Sequence, residues 1–220
     1  MSLAGKSLDT GIWSLNTVNI KDFGLGKHRQ VDDTPYGGGA GMVMRPDVLS
    51  QAIDSVRDSS SDTPHMIYLT PRGKVFNQQK ALEFTSAKKV VIVCGRFEGI
   101  DERVIKKYNI EEVSVGDFIL SGGEIAAISV LDACIRLLPG VLGSADTLVE
   151  ESFSEQGNYQ CLLEYPHYTR PSVWDDKNVP DVLLSGDHKA VHDWRLRQAE
   201  EITKKRRKDL WDRYQNILRT

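Results

Sequence analysis

The stretch Val113-Ser114-Val115-Gly116-Asp117-Phe118-Ile119-Leu120-Ser121-Gly122-Gly123-Glu124 decides how the rest of the chain is read. Val113 and Val115, separated by a polar residue, begin it as a strand. Gly116-Asp117 bends it, the apolar Phe118-Ile119-Leu120 follows, and Ser121 stands three residues before Glu124, the spacing of a capping box at a helix mouth. Behind it Ala127, Val130, Leu131, Cys134, Ile135 and Leu138 fall on one helical face, and Pro139-Gly140 closes the helix. Paired glycines at a helix mouth let another backbone or a ligand come close. The stretch is neither a GxGxxG fingerprint nor a P-loop, and it carries no Lys or Arg for a phosphate. Uncharged walls and backbone amides suit an adenine or a sulfonium cofactor better than a triphosphate. The competing reading is a turn that simply needs glycine.

Working outward, two more apolar runs end in loops of the same character. Met66 to Leu69 leads into Thr70-Pro71-Arg72-Gly73, a turn by composition, and Val90 to Val93 leads into Cys94-Gly95-Arg96-Phe97-Glu98. Helices are predicted between them. Pro46 sits in the first turn of one whose apolar face is Val48, Leu49, Ala52, Ile53 and Val56, and a second spans about Gln78 to Ser86. Strands alternating with helices argue for an α/β fold, a mainly parallel sheet with helices on both faces, binding ligands at the carboxyl ends of its strands. Upstream, Asp32-Asp33-Thr34-Pro35-Tyr36 runs into Gly37-Gly38-Gly39-Ala40-Gly41, a backbone suited to a loop rather than a core. Ile12 to Ile20 reads as a strand.

Downstream, Glu155-Gln156-Gly157-Asn158 looks like a linker, and Val173 to Pro180 continues as irregular chain. Asp187 is the expected N-cap of a helix whose buried side is Val191, Trp194, Ala199 and Ile202. A last helix places Leu210, Tyr214, Ile217 and Leu218 on one face. The boundaries that result are 1–154 for the sheet domain, 155–180 for the linker and 181–220 for a small helical domain.

The 40% apolar and 27% charged fractions are those of a globular chain with a real core. No apolar run approaches the ~18 residues of a membrane span, because Asp132 and Arg136 interrupt the best candidate, and Met1-Ser2-Leu3 opens no signal-peptide pattern. Cys94, Cys134 and Cys161 lack metal-ligand spacing; buried thiols in a reducing cytoplasm are expected, with no metal. The net charge of −3 is uneven. Residues 185–220 hold ten Lys/Arg against six Asp/Glu, a balance of +4, which leaves eighteen against twenty-five, or −7, for residues 1–184. A basic tail on an acidic body can grip a polyanion, although the run Lys204 to Lys208 can equally be a solvated helix face.

Taken together, Val31 to Met42 (VDDTPYGGGAGM), Cys94 to Val104 (CGRFEGIDERV), Val113 to Glu124, Arg136 to Gly143 (RLLPGVLG) and Tyr165 to Pro171 (YPHYTRP) resemble bacterial tRNA (guanine-N1)-methyltransferases of the SPOUT class. The resemblance runs from about Gly5 to about Gln198. It implies a C-terminal trefoil knot, which periodicity alone cannot give and generic topology rules would argue against. It implies S-adenosyl-L-methionine bound by Tyr68, Leu69, Pro71, Gly95, Glu98, Val115, Gly116, Asp117, Phe118, Ile119, Leu120, Gly122 and Gly123. It implies a homodimer whose site combines two protomers, and tRNA contacts at Tyr36, Arg170, Arg195 and Arg197. It also implies a strand of the form I-I-S-L-F-P and a short helix that this chain lacks. Met1-Ser2-Leu3 is therefore expected to be a truncated start, with a sheet position left empty.

Methylating guanine N1 requires removal of a weakly acidic proton and stabilisation of the charge that moves onto O6. The resemblance assigns the cationic role to Arg136, whose plain reading is a snorkelling arginine at a helix end. It assigns the base to Glu151 in Glu150-Glu151-Ser152-Phe153, where the family carries aspartate, with Glu150 and Asp146 in reserve. The longer side chain can shift the reacting oxygen by about an ångström. Two alternatives stand beside this reading: a SPOUT enzyme acting on another RNA position such as a ribose hydroxyl, and an RNA-binding relative that no longer catalyses.

Overall fold

The computed structural model describes residues 2–57, 63–142, 150–154 and 159–219. The chain divides into two compact units, Met1–Leu142 and Gly143–Thr220. The Glu150–Phe153 segment therefore clusters with the C-terminal unit.

In the first unit, α1 (Leu3–Asp9) precedes β1 (Asp32–Asp33), β2 (Val43–Met44), α2 (Pro46–Val56), β3 (His65–Val75), α3 (Gln78–Thr85), β4 (Val90–Val93), α4 (Glu102–Tyr108), β5 (Glu111–Ser114) and α5 (Gly123–Ile135). Strands β4, β3 and β5 form a parallel sheet in that order. Alternate residues of β3 face opposite layers, as the period of two requires. Met66 and Tyr68 join Leu49 and Ile53 of α2 and Val104, Ile105 and Tyr108 of α4. Ile67 and Leu69 join Val113, Phe84 of α3 and Ala126, Ala127 and Val130 of α5. Helices thus cover both faces of a mixed α/β unit. Ile67 is fully buried, so truncating it to alanine would cost about 2–5 kcal/mol. Across the strand ends Glu111 accepts from Lys80 at 2.9 Å and lies 2.7 Å from His65 Nε2.

Several local expectations need correction. Ile12–Ile20 pairs with no strand: Trp13 Nε1 donates to Ala4 O at 3.0 Å, folding the segment back on α1, and Ile12, Leu15 and Val18 stay exposed. A short helix, α1, does precede it. The turn at Thr70–Gly73 is an excursion inside β3 rather than its end. Leu69 and Lys74 both pair with Val113, and Phe76 N donates to Ser114 O at 2.7 Å. At Gly73 the two backbones meet so closely that a Cβ would strike the main chain of Glu112 and Val113. The capping box at Ser121 does not form. Gly122 is the N-cap of α5, and the Glu124 carboxylate instead takes Arg96 at 2.9 Å. Helix α5 ends at Ile135 with Arg136 as its C-cap, so Leu138 lies past the helix.

In the second unit, β6 (Val173–Trp174) and β7 (Lys177–Asn178) make a hairpin where irregular chain was expected, with Asp175 and Asp176 both at positive φ in its turn. Asp187 caps α6 (His188–Arg206) by accepting from Lys189 N and Ala190 N, each at 3.0 Å. Ala199 of α6 packs with Tyr159, Leu162 and Tyr165 and with Tyr214 of α7 (Lys208–Leu218), Thr203 Oγ1 accepts from Leu163 N at 2.8 Å, and Leu210 is buried. Val191, Trp194 and Ile202 are half-buried, while Ile217 and Leu218 are exposed because the core ends at Tyr214. Cys94, Cys134 and Cys161 are half-buried and not joined in disulfides. Burial pushes the Cys94 thiol up and the Cys134 thiol to about 11, so both stay protonated at neutral pH. Residues 155–158, the expected linker, and Asp146 lie outside the described residues.

Candidate active site

The excursion within β3 and the carboxyl ends of β4 and β5 converge on one cavity of about 390 Å³. Tyr68 to Arg72 from β3, Gly95 to Ile100 after β4, and Val113 to Gly116 with Phe118 to Gly123 after β5 line it. Of the thirteen residues expected to hold a cofactor, only Asp117 is outside this lining. The loops are joined by main chain: Gly123 N donates to Gly95 O at 2.9 Å, and Arg96 and Gly122 form an antiparallel bridge. Gly116 has φ +144°, and a Cβ there would meet the Phe118 ring at 2.7 Å, so the bend of the third loop requires glycine.

The cavity holds more charge than the Val113–Glu124 stretch suggested. Arg72 and Arg96 both line it, but Arg72 is tied to Glu112 at 2.7 Å and Glu102 at 3.1 Å, and Arg96 to Glu124. Glu98 also lines the cavity and, among the described residues, makes no ion pair. The Tyr68 ring packs beneath Gly95 and Gly99, and burial pushes its phenol above the ordinary value. The glycine-rich loop reaches this end of the unit: Glu98 N donates to Met42 O at 2.9 Å, and a Cβ on Gly41 would overlap the Glu98 side chain. Tyr36, at the start of that loop, is 100% exposed.

The second group of candidates lies in the C-terminal unit. Glu151 is half-buried in a short turn, its carbonyl accepting from Ser154 N at 3.2 Å. Its neighbours are held on both sides. Tyr165 Oη donates to Glu150 Oε2 at 2.6 Å, and Arg195 Nη1 lies 3.3 Å from the same oxygen. Glu164 N donates to Ser152 Oγ at 2.9 Å, and Phe153 N to Leu162 O at 3.1 Å. Arg170 and Arg197 are exposed, whereas Arg195 turns inward with its guanidinium 4.8 Å from the Tyr165 ring centre. Arg136 belongs to the N-terminal unit, half-buried at the end of α5.

Sequence reasoning found the three loops but missed the ties among Tyr165, Arg195 and Glu150. The only signal was Tyr165 at the head of the YPHYTRP motif, to which no role attached. Among the described residues no cluster of His, Cys, Asp and Glu could hold a metal ion.

The family profile described as tRNA (Guanine-1)-methyltransferase TrmD matches residues 1–213. The chain is similar to the tRNA (guanine-N(1)-)-methyltransferases of Brucella ovis and Brucella melitensis biotype 1, each 55% identical over 214 residues that cover 97% of this chain and 85% of the relative. The protein of that name from Brucella abortus is likewise 55% identical over 214 residues, 97% of this chain and 84% of its own length. With its parallel sheet and the cavity at its strand ends, the chain belongs to the tRNA (guanine-1)-methyltransferase family.

Proposed function

We propose that this chain transfers a methyl group from S-adenosyl-L-methionine to N1 of guanine in tRNA, at the guanosine on the 3′ side of the anticodon. The observation that carries this is the convergence of three strand-end loops on one cavity with mainly main-chain polar walls. Its size falls within the ~300–1,000 Å³ usual for small-molecule sites. With Arg72 and Arg96 neutralised by glutamates, the Glu98 carboxylate is the group left to attract a sulfonium or ammonium, so the residues fit this cofactor. Tyr68, Leu69, Pro71, Gly95, Glu98, Val115 to Leu120, Gly122 and Gly123 would hold it, in the SPOUT trefoil knot that family membership implies.

Bound there, S-adenosyl-L-methionine supplies an electrophilic methyl carbon. Glu151 accepts the proton from guanine N1, which frees the nitrogen lone pair for attack. Arg136 stabilises the negative charge that moves onto O6. The loops hold the reacting groups in line, and that positioning is a large share of the rate. The exposed Tyr36, Arg170 and Arg197 contact the tRNA. The active form is a homodimer: Ile119, Ile125 and Ile128 expose 82%, 62% and 62% of their surface, a run of apolar side chains that a second copy would cover. Among the described residues no helix is long and apolar enough to cross a membrane, and work on tRNA fits the cytoplasm.

The test is methyl transfer to a tRNA transcript with guanosine beside the anticodon and to one with adenosine there, the product read by nucleoside mass spectrometry. N1-methylguanosine in the first alone is expected. A ribose methylation would assign a different RNA position, and binding without transfer would make the chain an RNA-binding relative.

A further inference from the structure

The four residues that include Glu151 are fixed in a way that the methyl-transfer reading does not use. The partly exposed Glu150 carboxylate accepts from Tyr165 Oη at 2.6 Å and lies 3.3 Å from Arg195 Nη1. The Tyr165 ring is itself held, 5.9 Å from the buried Tyr159 ring, 5.1 Å from His167 and beneath the Arg195 guanidinium. Burial and the adjacent Glu150 carboxylate push the Tyr165 phenol well above its ordinary value, so it remains a donor throughout the neutral range. Ser152 and Phe153 are tied to Glu164 and Leu162 on the strand of chain that leads into Tyr165. That chain is anchored in turn by Leu163 N donating to the fully buried Thr203 Oγ1 at 2.8 Å. Among the described residues Glu150, Ser152 and Phe153 are therefore each pinned to α6 or to the Tyr159–Tyr165 segment.

We propose that Tyr165 and Arg195 are positioning residues for methyl transfer: through Glu150 they set where the Glu151 carboxylate stands. This rests on the assignment of Glu151 as base. A phenol and a guanidinium sharing one carboxylate oxygen fix the direction of the Glu150 side chain, and with it the backbone of the next residue. The arrangement also reassigns Arg195, an expected tRNA contact, to an intramolecular task. A charge-assisted hydrogen bond to a half-buried carboxylate is among the stronger ties available.

The experiment is single-turnover methylation at saturating cofactor and tRNA, with tRNA affinity measured across salt concentrations, on Tyr165→Phe, Arg195→Gln, Glu151→Gln and the Tyr165→Phe/Glu151→Gln double variant. Tyr165→Phe keeps the ring and its packing, so the fold survives. It is expected to slow the step by between about tenfold and about a hundredfold, the cost of misplacing a reacting group by up to an ångström. Arg195→Gln should slow the step comparably, with tRNA affinity and its salt slope unchanged. The double variant should be no slower than Glu151→Gln alone, because the clamp acts only through Glu151. Tyr165→Phe at the parental rate, while Glu151→Gln is slow, overturns the clamp and leaves the base in place. Defects that multiply in the double variant overturn it too, as does an Arg195→Gln variant that loses tRNA affinity but keeps its rate at saturation. Glu151→Gln at the parental rate removes the base itself, and the clamp with it.

Discussion

Around the cavity of the N-terminal unit the loops are joined mainly through main chain, as in Gly123 N to Gly95 O, the Arg96–Gly122 bridge, Met44 N to Gly99 O and Glu98 N to Met42 O, beside the Arg96–Glu124 and Arg72–Glu112 ion pairs. Around Glu151 in the C-terminal unit side chains carry most of the ties, Tyr165 and Arg195 on Glu150, Ser152 on Glu164 and Thr203 on Leu163, beside main-chain bonds such as Phe153 N to Leu162 O. The two constructions fail differently. A cavity walled by glycine and backbone is spoiled by adding atoms, because a Cβ fills the space a ligand needs. A carboxylate held by side chains is spoiled by removing them. Binding and chemistry should therefore separate cleanly by type of substitution as well as by place.

The largest expected effect is on the chemical side. Glu151→Gln keeps the shape and removes the basic oxygen, so turnover should fall by about 10²–10⁴-fold, the usual loss of a general base, while cofactor and tRNA affinities hold. Parallel calorimetry and single-turnover rates would measure this, and a fall in cofactor affinity of similar size would break the division. On the cavity side, Gly122→Val should weaken S-adenosyl-L-methionine binding by about tenfold or more, with the melting temperature nearly unchanged. Gly122 has φ −174°, open to any residue, and its added Cβ meets the movable Glu124 carboxylate rather than backbone. Unaltered affinity would place the ligand elsewhere.

A smaller effect is expected from the basic end of α6. Arg207 is bound to Asp209 at 2.6 Å and lies over the Phe153 ring, so it is taken from the basic run. Neutralising the exposed Lys204, Lys205 and Arg206 should lower the slope of log affinity against log salt by about two, at ~0.7 for each phosphate no longer neutralised. An unchanged slope would make this a solvated face. The smallest effect is structural. Burial raises the Glu111 carboxyl, but hydrogen bonds from Lys80 and His65 outweigh it and hold the pKa below 4.5. Its contribution is therefore present above the unfolded value and lost as pH falls through the folded one. Glu111→Gln should cost up to about 1 kcal/mol at pH 7. Thermal melts of the two proteins should converge once the pH falls below the folded pKa of Glu111.

Elements whose cause is local were legible in the sequence. The apolar run Val90–Val93 ended in its Gly loop, Asp187 capped its helix, and the Pro46 helix buried Val48, Leu49, Ala52 and Ile53 of the face its period named, with Val56 half-buried. What failed depended on partners distant in the chain. Ile12–Ile20 has the composition of a strand, but Trp13 is drawn onto α1 and no neighbouring strand takes it up. Ser121 had the spacing of a cap, yet Glu124 found a better partner in Arg96, 28 residues away in sequence. Asp175-Asp176 turns a hairpin with two positive φ values and neither Asn nor Gly to announce it. In the candidate site the glycines were visible by type. The ties on Glu150 were not, because they join residues 15 and 45 positions apart.

The return of β3 to the ladder after Gly73 constrains how this loop can change through descent. Leu69 and Lys74 meet the same residue of β5, so the intervening Thr70-Pro71-Arg72-Gly73 must span a set distance. One inserted or deleted residue would slip Lys74 and Val75 against β5 and turn each to the opposite face. Phe76, which stacks 6.1 Å from Phe84 under the sheet, would be carried out of the core. Changes of length in this segment should be rare, a restriction set by strand parity and not by the ligand alone.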